Sequence, residues 1–347
     1  MDSSRLKRVL IIKPSSLGDV IHALPVADAL KAGIPGVEID WVAGVGFDGI
    51  LEGNPSVSRI ITFDRRMLEK PGGLKRLSGF VRELRRNRYD LVLDLQGLLR
   101  SGLMAFACRA DSRVGFANAR EGAALFYTGK VAVPDPEMHA VDRYLLCLEF
   151  LNLKAPDDVC FTVKISEDDN KKADALLREL GVEEGEPFVA VAASARWETK
   201  RWPAENFAAL ANRLIEEHGV KSVFVGTREE GSVMAGQARS LRQKGSFAFG
   251  RTSLKSLSAL IKKASVLVTN DSGPMHIAAA VGTPAVAVFG PTDPKRTGPY
   301  GKIHKVVTAG VECAPCFRKK CGDVKCMTGV TVEMVYDKVA DVMRKLH

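Results

Sequence analysis

Short apolar runs and longer stretches of helical spacing alternate along nearly the whole chain. KRVLIIK reads as a buried strand, and LGDVIHALPVADALKAG reads as the helix after it. VEIDWVA, SRIITF, DLVLDL and SRVGF read as further strands separated by helical stretches. Around residues 152–166, LNLKAPDDVCFTVKIS breaks the pattern and reads as a connection. The pattern then restarts. NKKADALLRELG, AENFAALANRLIEEHG, EEGSVMAGQARSL and LKSLSALIKKA read as helices, PFVAVAAS and KSVFVG as strands, and two more strands bracket residues 265–289. VTVEMVYDKVADVMRKLH closes the chain as a capped helix.

Two successive alternating halves predict an α/β protein with two doubly wound, Rossmann-like parallel-sheet domains facing one cleft. The expected division is 1–163, 164–330 and a C-terminal helix, 331–347, with room to pack back on the N-terminal domain. In such sheets ligands bind outside the carboxyl ends of the strands, so the βα turns are where chemistry is sought.

NDSGPMHIAAAVGTPAVAVFGPTDP, residues 270–294, carries the strongest signal. The strand ASVLVT ends at Thr269. Asn270, Asp271, Ser272 and Gly273 form a polar turn with N-cap chemistry, and Pro274 suits the start of a helix. This arrangement aims free N–H groups and a positive dipole end above the sheet, where the usual guest is a phosphate. Asp271 serves there either as a cap or as an acceptor for sugar hydroxyls. His276, one turn on, could donate to a phosphate.

The first βα turn, KPSSLGDVIHALP, places Asp19 at a helix start. It reads either as a carboxylate favoured by the helix dipole or as a general base for an attacking hydroxyl. His22 is either structural or set to orient Asp19. In ASARWETKRWPAENF, Ser194 follows a strand and Lys200 precedes a helix, as a solvated lysine or a point charge for phosphate. Glu229 and Glu230 in VGTREE either complement a helix dipole or bind a ribose diol, with spacing from Gly226 favouring Glu230. GVGFDG matches a dinucleotide fingerprint at Gly44, Gly46 and Gly49. The helix it should open meets Gly53-Asn54-Pro55 too soon, so the match is set aside.

Composition narrows the class. The chain is 46% hydrophobic and 26% charged, ordinary for a globular protein. Its only early apolar run, VLII, is stopped by Lys13, so no signal peptide is read and a cytoplasmic location is expected. Of the net charge of +9, a net of +8 falls between Arg65 and Arg120, with thirteen Lys/Arg against five Asp/Glu. This is either a solvated helix face around VRELRRNR or a surface for an anionic lipid or membrane. Nucleic acid ranks last, because no aromatic stacking pattern accompanies the charge.

Four of the seven cysteines, Cys313, Cys316, Cys321 and Cys326, lie in CAPCFRKKCGDVKC. They read as free thiols in a structured loop or as a structural metal site, although the spacing matches no strong zinc signature. Arg318, Lys319 and Lys320 could stabilise thiolates there.

KPSSLGDVIHALP, TKRWP, NDSGPMHIAAAVGTP and FGPTDPKRTGPYG occur in order, and together they resemble glycosyltransferase family 9, the ADP-heptose:lipopolysaccharide heptosyltransferases. The N-terminal half, with DLQGLLRSG, NAREGAALFY and HAVDRYL, resembles heptosyltransferase I most. The resemblance implies a GT-B fold and inverting transfer of L-glycero-D-manno-heptose from ADP-heptose to Kdo on lipid A. It implies Asp19 as catalytic base, and Ser194, Lys200, Glu230 (or Glu229), Thr252, Asp271, Ser272, Gly273 and His276 on the donor side. On the acceptor side it implies Ser16, Gly18, His22, Arg65, Arg66, Arg100 and Arg120. No cofactor is required, and the partners are ADP-heptose, an anionic lipid-linked acceptor and the inner face of the cytoplasmic membrane. Rival readings are an epimerase or other nucleotide-sugar enzyme on this fold, and a non-catalytic nucleotide-sugar-binding module.

Overall fold

The computed structural model describes residues 3–69, 71–237 and 247–345. The chain divides into two compact units, Met1–Lys164 and Ile165–His347.

The first unit runs β1 (Arg8–Ile12), α1 (Leu17–Gly33), β2 (Glu38–Gly44), β3 (Arg59–Phe63), α2 (Gly73–Leu84), β4 (Leu91–Asp94), α3 (Leu99–Ala107), β5 (Ser112–Phe116), β6 (Gly129–Val131) and α4 (Ala140–Phe150). Its six strands are parallel in the order β3-β2-β1-β4-β5-β6. β1 is central because VLII can be buried on both faces. Leu10 and Ile12 pack with Val42, Val92, Leu84 and Met104 on one face. The set-aside glycine motif opens only a 3-10 turn, Asp48–Ile50, as its early Gly-Asn-Pro predicts. β6 was not expected; GKV carries no apolar run to reveal it. The segment read as a connection is pinned to this unit: Asn54 Nδ2 donates to Thr162 O (2.7 Å) and Thr162 N donates to Asp28 Oδ2 (3.2 Å).

The second unit runs α5 (Glu167–Glu179), β7 (Phe188–Ala192), α6 (Ala204–His218), β8 (Lys221–Phe224), α7 (Arg228–Gln237), α8 (Leu254–Lys263), β9 (Val266–Asn270), α9 (Gly273–Val281), β10 (Ala285–Val288), α10 (Pro294–Thr297), β11 (Lys305–Val307), α11 (Lys325–Thr328) and α12 (Val332–Arg344). Residues 238–241, which sequence assigns to the end of α7, lie outside the described residues. Five parallel strands are ordered β11-β10-β9-β7-β8. Valines of β7, β9 and β10 meet Trp202 and Phe207 from one side of the chain and Val335, Val339 and Val342 of α12 from another. Sequence left room for that helix on the N-terminal domain; its apolar face lies in the second unit's core. Thr331 caps it, its Oγ1 accepting from Met334 N (3.3 Å).

Strand order reverses between β1 and β4 in one sheet and between β7 and β9 in the other. Those reversals open crevices at the carboxyl ends of the strands. Register aligns the ends: Ile12 lies opposite Asp94, and Ala192 opposite Thr269. The loops that start at Lys13, Leu95, Ala193 and Asp271 therefore rim the two crevices.

Candidate functional site

In the first unit the crevice is built around Asp19, the third residue of α1. Its Oδ2 accepts from the Ser16 backbone N (2.9 Å) and from Ser16 Oγ (2.8 Å), satisfying donors at the helix start. Its Oδ1 accepts from Tyr144 OH (3.2 Å) and lies 3.5 Å from Lys13 Nζ. The capping contacts thus use one oxygen of the carboxylate, and the Tyr144 and Lys13 contacts use the other. The side chain keeps 38% of its surface exposed.

Lys13, 2% exposed, donates from Nζ to Leu95 O (3.1 Å), and Nζ sits 4.8 Å from the centre of the Tyr144 ring. Burial works against its charge, but Asp19 and Tyr144 outweigh burial and its pKa is raised. For Asp19, burial works against ionisation, and the Lys13 ammonium with the Ser16 hydrogen bonds overcomes it. The carboxyl is held below the ordinary carboxylate range. Burial, with the Asp19 charge added, pushes the Tyr144 hydroxyl up to about 12, so it remains a donor. Sequence reasoning saw Lys13 only as a strand end and missed Tyr144. A lysine directly after the apolar run VLII was the available signal for the first. Tyr144 lies 125 residues from Asp19 and carried none.

The other acceptor-side candidates distribute unevenly. Ser16 is exposed and Gly18 buried at the helix start. Arg65 and Arg66 are exposed in the turn after β3, where Arg66 N donates to Asp64 Oδ1 (2.9 Å). Arg100 opens α3 with its guanidinium 5.9 Å from the Phe63 ring. Arg120 is exposed after β5, its backbone N donating to Gly97 O (2.9 Å). Arg65, Arg66 and Arg120 therefore stand on loops that follow strand ends, and Arg100 on the first turn of α3. His22 is 3% exposed, its ring edge-on to His139 at 5.2 Å. Beneath the loops, buried Asp94 accepts from Gln96 N, Gly97 N and Tyr127 OH (2.6 Å), which anchors the turn after β4. Burial raises its pKa despite those bonds.

In the second unit, Lys200 Nζ meets Asp271 Oδ2 at 2.5 Å, and Thr292 Oγ1 donates to the same oxygen (2.6 Å). Neighbouring Asn270 ties the loops, Nδ2 donating to Ala193 O and Oδ1 accepting from Trp202 N. Ser272 is the N-cap of α9, but its side chain makes no capping bond, so it does not occupy the helix N–H groups. Gly273 is partly exposed and His276 is 6% exposed on the first turn. Gly282, at φ +78°, ends the helix in the left-handed conformation glycine tolerates.

Two lysines flank one indole: Lys200 Nζ is 4.5 Å and Lys319 Nζ 5.2 Å from the Trp197 ring centre. Lys319 comes from the cysteine-rich segment. That segment is stitched to this site, with Thr199 Oγ1 donating to Arg318 O (2.9 Å) and Cys316 N and Phe317 N donating to Pro291 O. Sequence reasoning had given Lys319 to the thiols. Cys313, Cys316 and Cys321 are exposed and Cys326 buried, with Cys321 Sγ donating to Asp323 O. Among the described residues no group of three or more His, Cys, Asp or Glu is arranged to hold a metal ion.

Ser194 is partly exposed just beyond β7, and Thr252 partly exposed before the Ser253 cap of α8. Glu230 Oε2 accepts from Thr227 N (2.8 Å), closing the turn into α7, and Glu229 is exposed beside it. Burial is minor for Glu229; hydrogen bonds at the helix start hold its carboxyl below the ordinary range.

A family model described as glycosyltransferase family 9 (heptosyltransferase) matches residues 78–326. Lipopolysaccharide heptosyltransferase 1 of Pseudomonas aeruginosa is 33% identical over 323 residues, covering 90% of this chain and 87% of that one. Lipooligosaccharide heptosyltransferase 2 of Haemophilus ducreyi is 29% identical over 316 residues, covering 86% and 88%. The solved structure of E. coli heptosyltransferase WaaC with ADP is similar at a TM-score of 0.78 and 25% identity, covering 96% of this chain and 99% of that one.

Proposed function

This chain belongs to glycosyltransferase family 9, and from that premise we propose that it moves L-glycero-D-manno-heptose from ADP-heptose to Kdo of the lipopolysaccharide inner core, with inversion. The protein is a glycosyltransferase with the two parallel-sheet α/β domains of the GT-B class. The observation that supports the catalytic reading best is the Asp19 carboxylate, held ionised at the β1/β4 reversal by Lys13 and Ser16.

In this reading Asp19 receives the proton of the acceptor hydroxyl as that oxygen bonds to the anomeric carbon and the ADP oxygen departs. A carboxylate so stabilised is a weak base. The transfer is therefore late, once the attacking oxygen has begun to bond and become acidic. The Lys13 charge that weakens the base then favours loss of the proton to water at the exposed side of the carboxyl, and Asp19 returns to its ionised form. Inversion needs one base and one stabilised leaving group, not a second carboxylate attacking carbon. Lys200, Lys319 and the N–H groups opening α9 offset the charge that builds on the diphosphate, so the reading needs no metal. Asp271 and Glu230 or Glu229 are the acceptors for donor hydroxyls. Arg65, Arg66, Arg100 and Arg120 meet the acidic acceptor.

The acceptor is an anionic amphiphile, and we place the protein at the inner face of the cytoplasmic membrane. No helix among the described residues is long and apolar enough to cross a membrane, and the excess positive charge between Arg65 and Arg120 suits an anionic surface. Relatives named heptosyltransferase 2 also match, which supports a second reading in which the second heptose is added. Mass spectrometry of Kdo-lipid A and of its monoheptosyl form, each incubated with ADP-heptose, tests both. One heptose gained by Kdo-lipid A is the expected result. Gain only by the monoheptosyl form moves the assignment to the second heptose, and gain by neither rejects the donor–acceptor pair.

A further inference from the structure

We propose that the exposed stripe of α3, with the 3-10 turn Ala123–Phe126, is the face that docks on an anionic lipid bilayer. Sequence directs attention to the arginine-rich end of α2, but a charged face alone is ordinary for a solvated helix. α3 shows something less common. Ser101, Gly102, Met104 and Ala105 are buried, whereas Leu99, Leu103 and Phe106 are 43%, 47% and 59% exposed. Those three stand at i, i+4 and i+7, one above another on a single outward stripe.

The 3-10 turn widens the stripe. Gly102 lets it approach, because a Cβ there would come within 3.0 Å of the Phe126 ring and 3.1 Å of Ala123 backbone. Phe126 then rests 5.9 Å from Phe106, ring centre to ring centre, and its neighbour Leu125 is 85% exposed. Three large exposed side chains in register on one helix face, with exposed Leu125 on the turn packed beside it, exceed the scatter of single exposed residues that needs no explanation.

The rim is basic. The Arg113 guanidinium lies 5.9 Å from the Phe106 ring, and exposed Arg109 and Arg120 follow α3 and β5. Arg85 reaches in from α2, its Nε donating to Ala107 O (2.7 Å). Of the acids nearby, Asp111 is paired with Arg88, and Glu121 accepts from Leu99 N. An apolar stripe inside an arginine rim is the pattern of a helix lying in a bilayer interface, where acyl boundary and anionic headgroups are satisfied together. A protein partner would have to supply both chemistries on one matching surface. The stripe also begins where the acceptor chemistry is. Leu99 follows the turn whose Leu95 O holds Lys13 Nζ and whose Gln96 Oε1 accepts from Ser15 N. A membrane seated here brings headgroup sugars to the edge of the sheet that carries Asp19.

The inference rests on the proposed membrane role, not on which sugar is transferred, and its test is independent of turnover. The full chain carrying Phe106→Trp is mixed with phosphatidylcholine vesicles containing phosphatidylglycerol, with and without brominated acyl chains. The introduced indole should shift to shorter wavelength and be quenched by the brominated lipid, against the unchanged background of the three native tryptophans. The Leu103→Gln/Phe106→Gln double variant, which keeps helix-forming residues, should lose about tenfold or more in vesicle binding. It should keep its circular dichroism and its transfer to a deacylated, water-soluble acceptor. An indole that stays unquenched while the protein sediments with vesicles overturns the proposal. So does a dimer, seen by sedimentation equilibrium, that the double variant abolishes, since a second copy would then cover the face. Lack of transfer to either acceptor by the unaltered protein counts against the functional reading alone; the quenching result still decides docking.

Discussion

Lys13 Nζ lies 3.5 Å from Asp19 Oδ1, and the lysine that makes this pair is almost wholly buried. A buried ammonium beside a half-open carboxylate sets the protonation state of the proposed base. Its charge overcomes the burial that would otherwise raise the Asp19 pKa. In the unaltered protein the acid limb of kcat/KM should therefore lie below the ordinary carboxylate range. Lys13→Met removes the opposing charge and leaves burial, so the Asp19 pKa rises and the acid limb moves to higher pH. A pH–rate profile checks this; an acid limb that does not move disproves the coupling.

Asp19→Asn keeps the shape of the side chain and removes the proton acceptor. Turnover should fall by about 10²–10⁴-fold, the usual contribution of a positioned acid or base. Donor affinity, measured by calorimetry with ADP, should be nearly unchanged, because the donor contacts are assigned to the second unit. Near-normal turnover in this variant would remove Asp19 from the mechanism.

Lys200 and Asp271 should separate stability from function. Both side chains are largely buried, so Lys200→Met leaves the Asp271 carboxylate without its cation and lowers Tm; breaking such a pair costs about 3–5 kcal/mol in fully buried cases. Adding Asp271→Asn removes the stranded charge, and Tm should recover in large part. ADP affinity should stay low in both variants, because the phosphate-facing cation is gone. Recovery of affinity along with Tm would make the pair structural only.

Gly290 opens the bend after β10 that carries Thr292. A Cβ there would lie 2.3 Å from Met327 Sδ and 3.1 Å from Cys326 Sγ. Gly290→Ala should push α11 away from the loop and lower stability by about 1–3 kcal/mol, as overpacking does. ADP affinity should fall with it, since Thr292 holds Asp271. Thermal melts and calorimetry on the same preparation check both effects.

The turn proposed to face the donor was legible in the sequence as a local structure because its residues are adjacent. Asn270, Asp271, Ser272 and Gly273 sit in one turn between a valine-rich strand and a short helix, so strand, cap and helix start announce one another. The same holds for Ser16 and Asp19, three residues apart. His22, one helical turn from Asp19, is buried beside His139, and its charge is among the influences that lower the Asp19 pKa. The cysteine string offered free thiols or a metal site; that its neighbours Arg318 and Lys319 reach the Trp197 turn was not visible in the sequence.

The sequence by itself determined the two alternating halves, the polar turns at their strand ends and the candidate carboxylate, since apolar periodicity and capping chemistry act over a few residues. Only the tertiary structure decided which distant groups share a crevice. Tyr144 reaches Asp19, Lys319 joins Lys200 over Trp197, and Phe126 meets Phe106 of α3. Those meetings depend on strand order and register, through which parallel crossovers carry residues far apart in the chain to one edge of a sheet. No local pattern encodes that return.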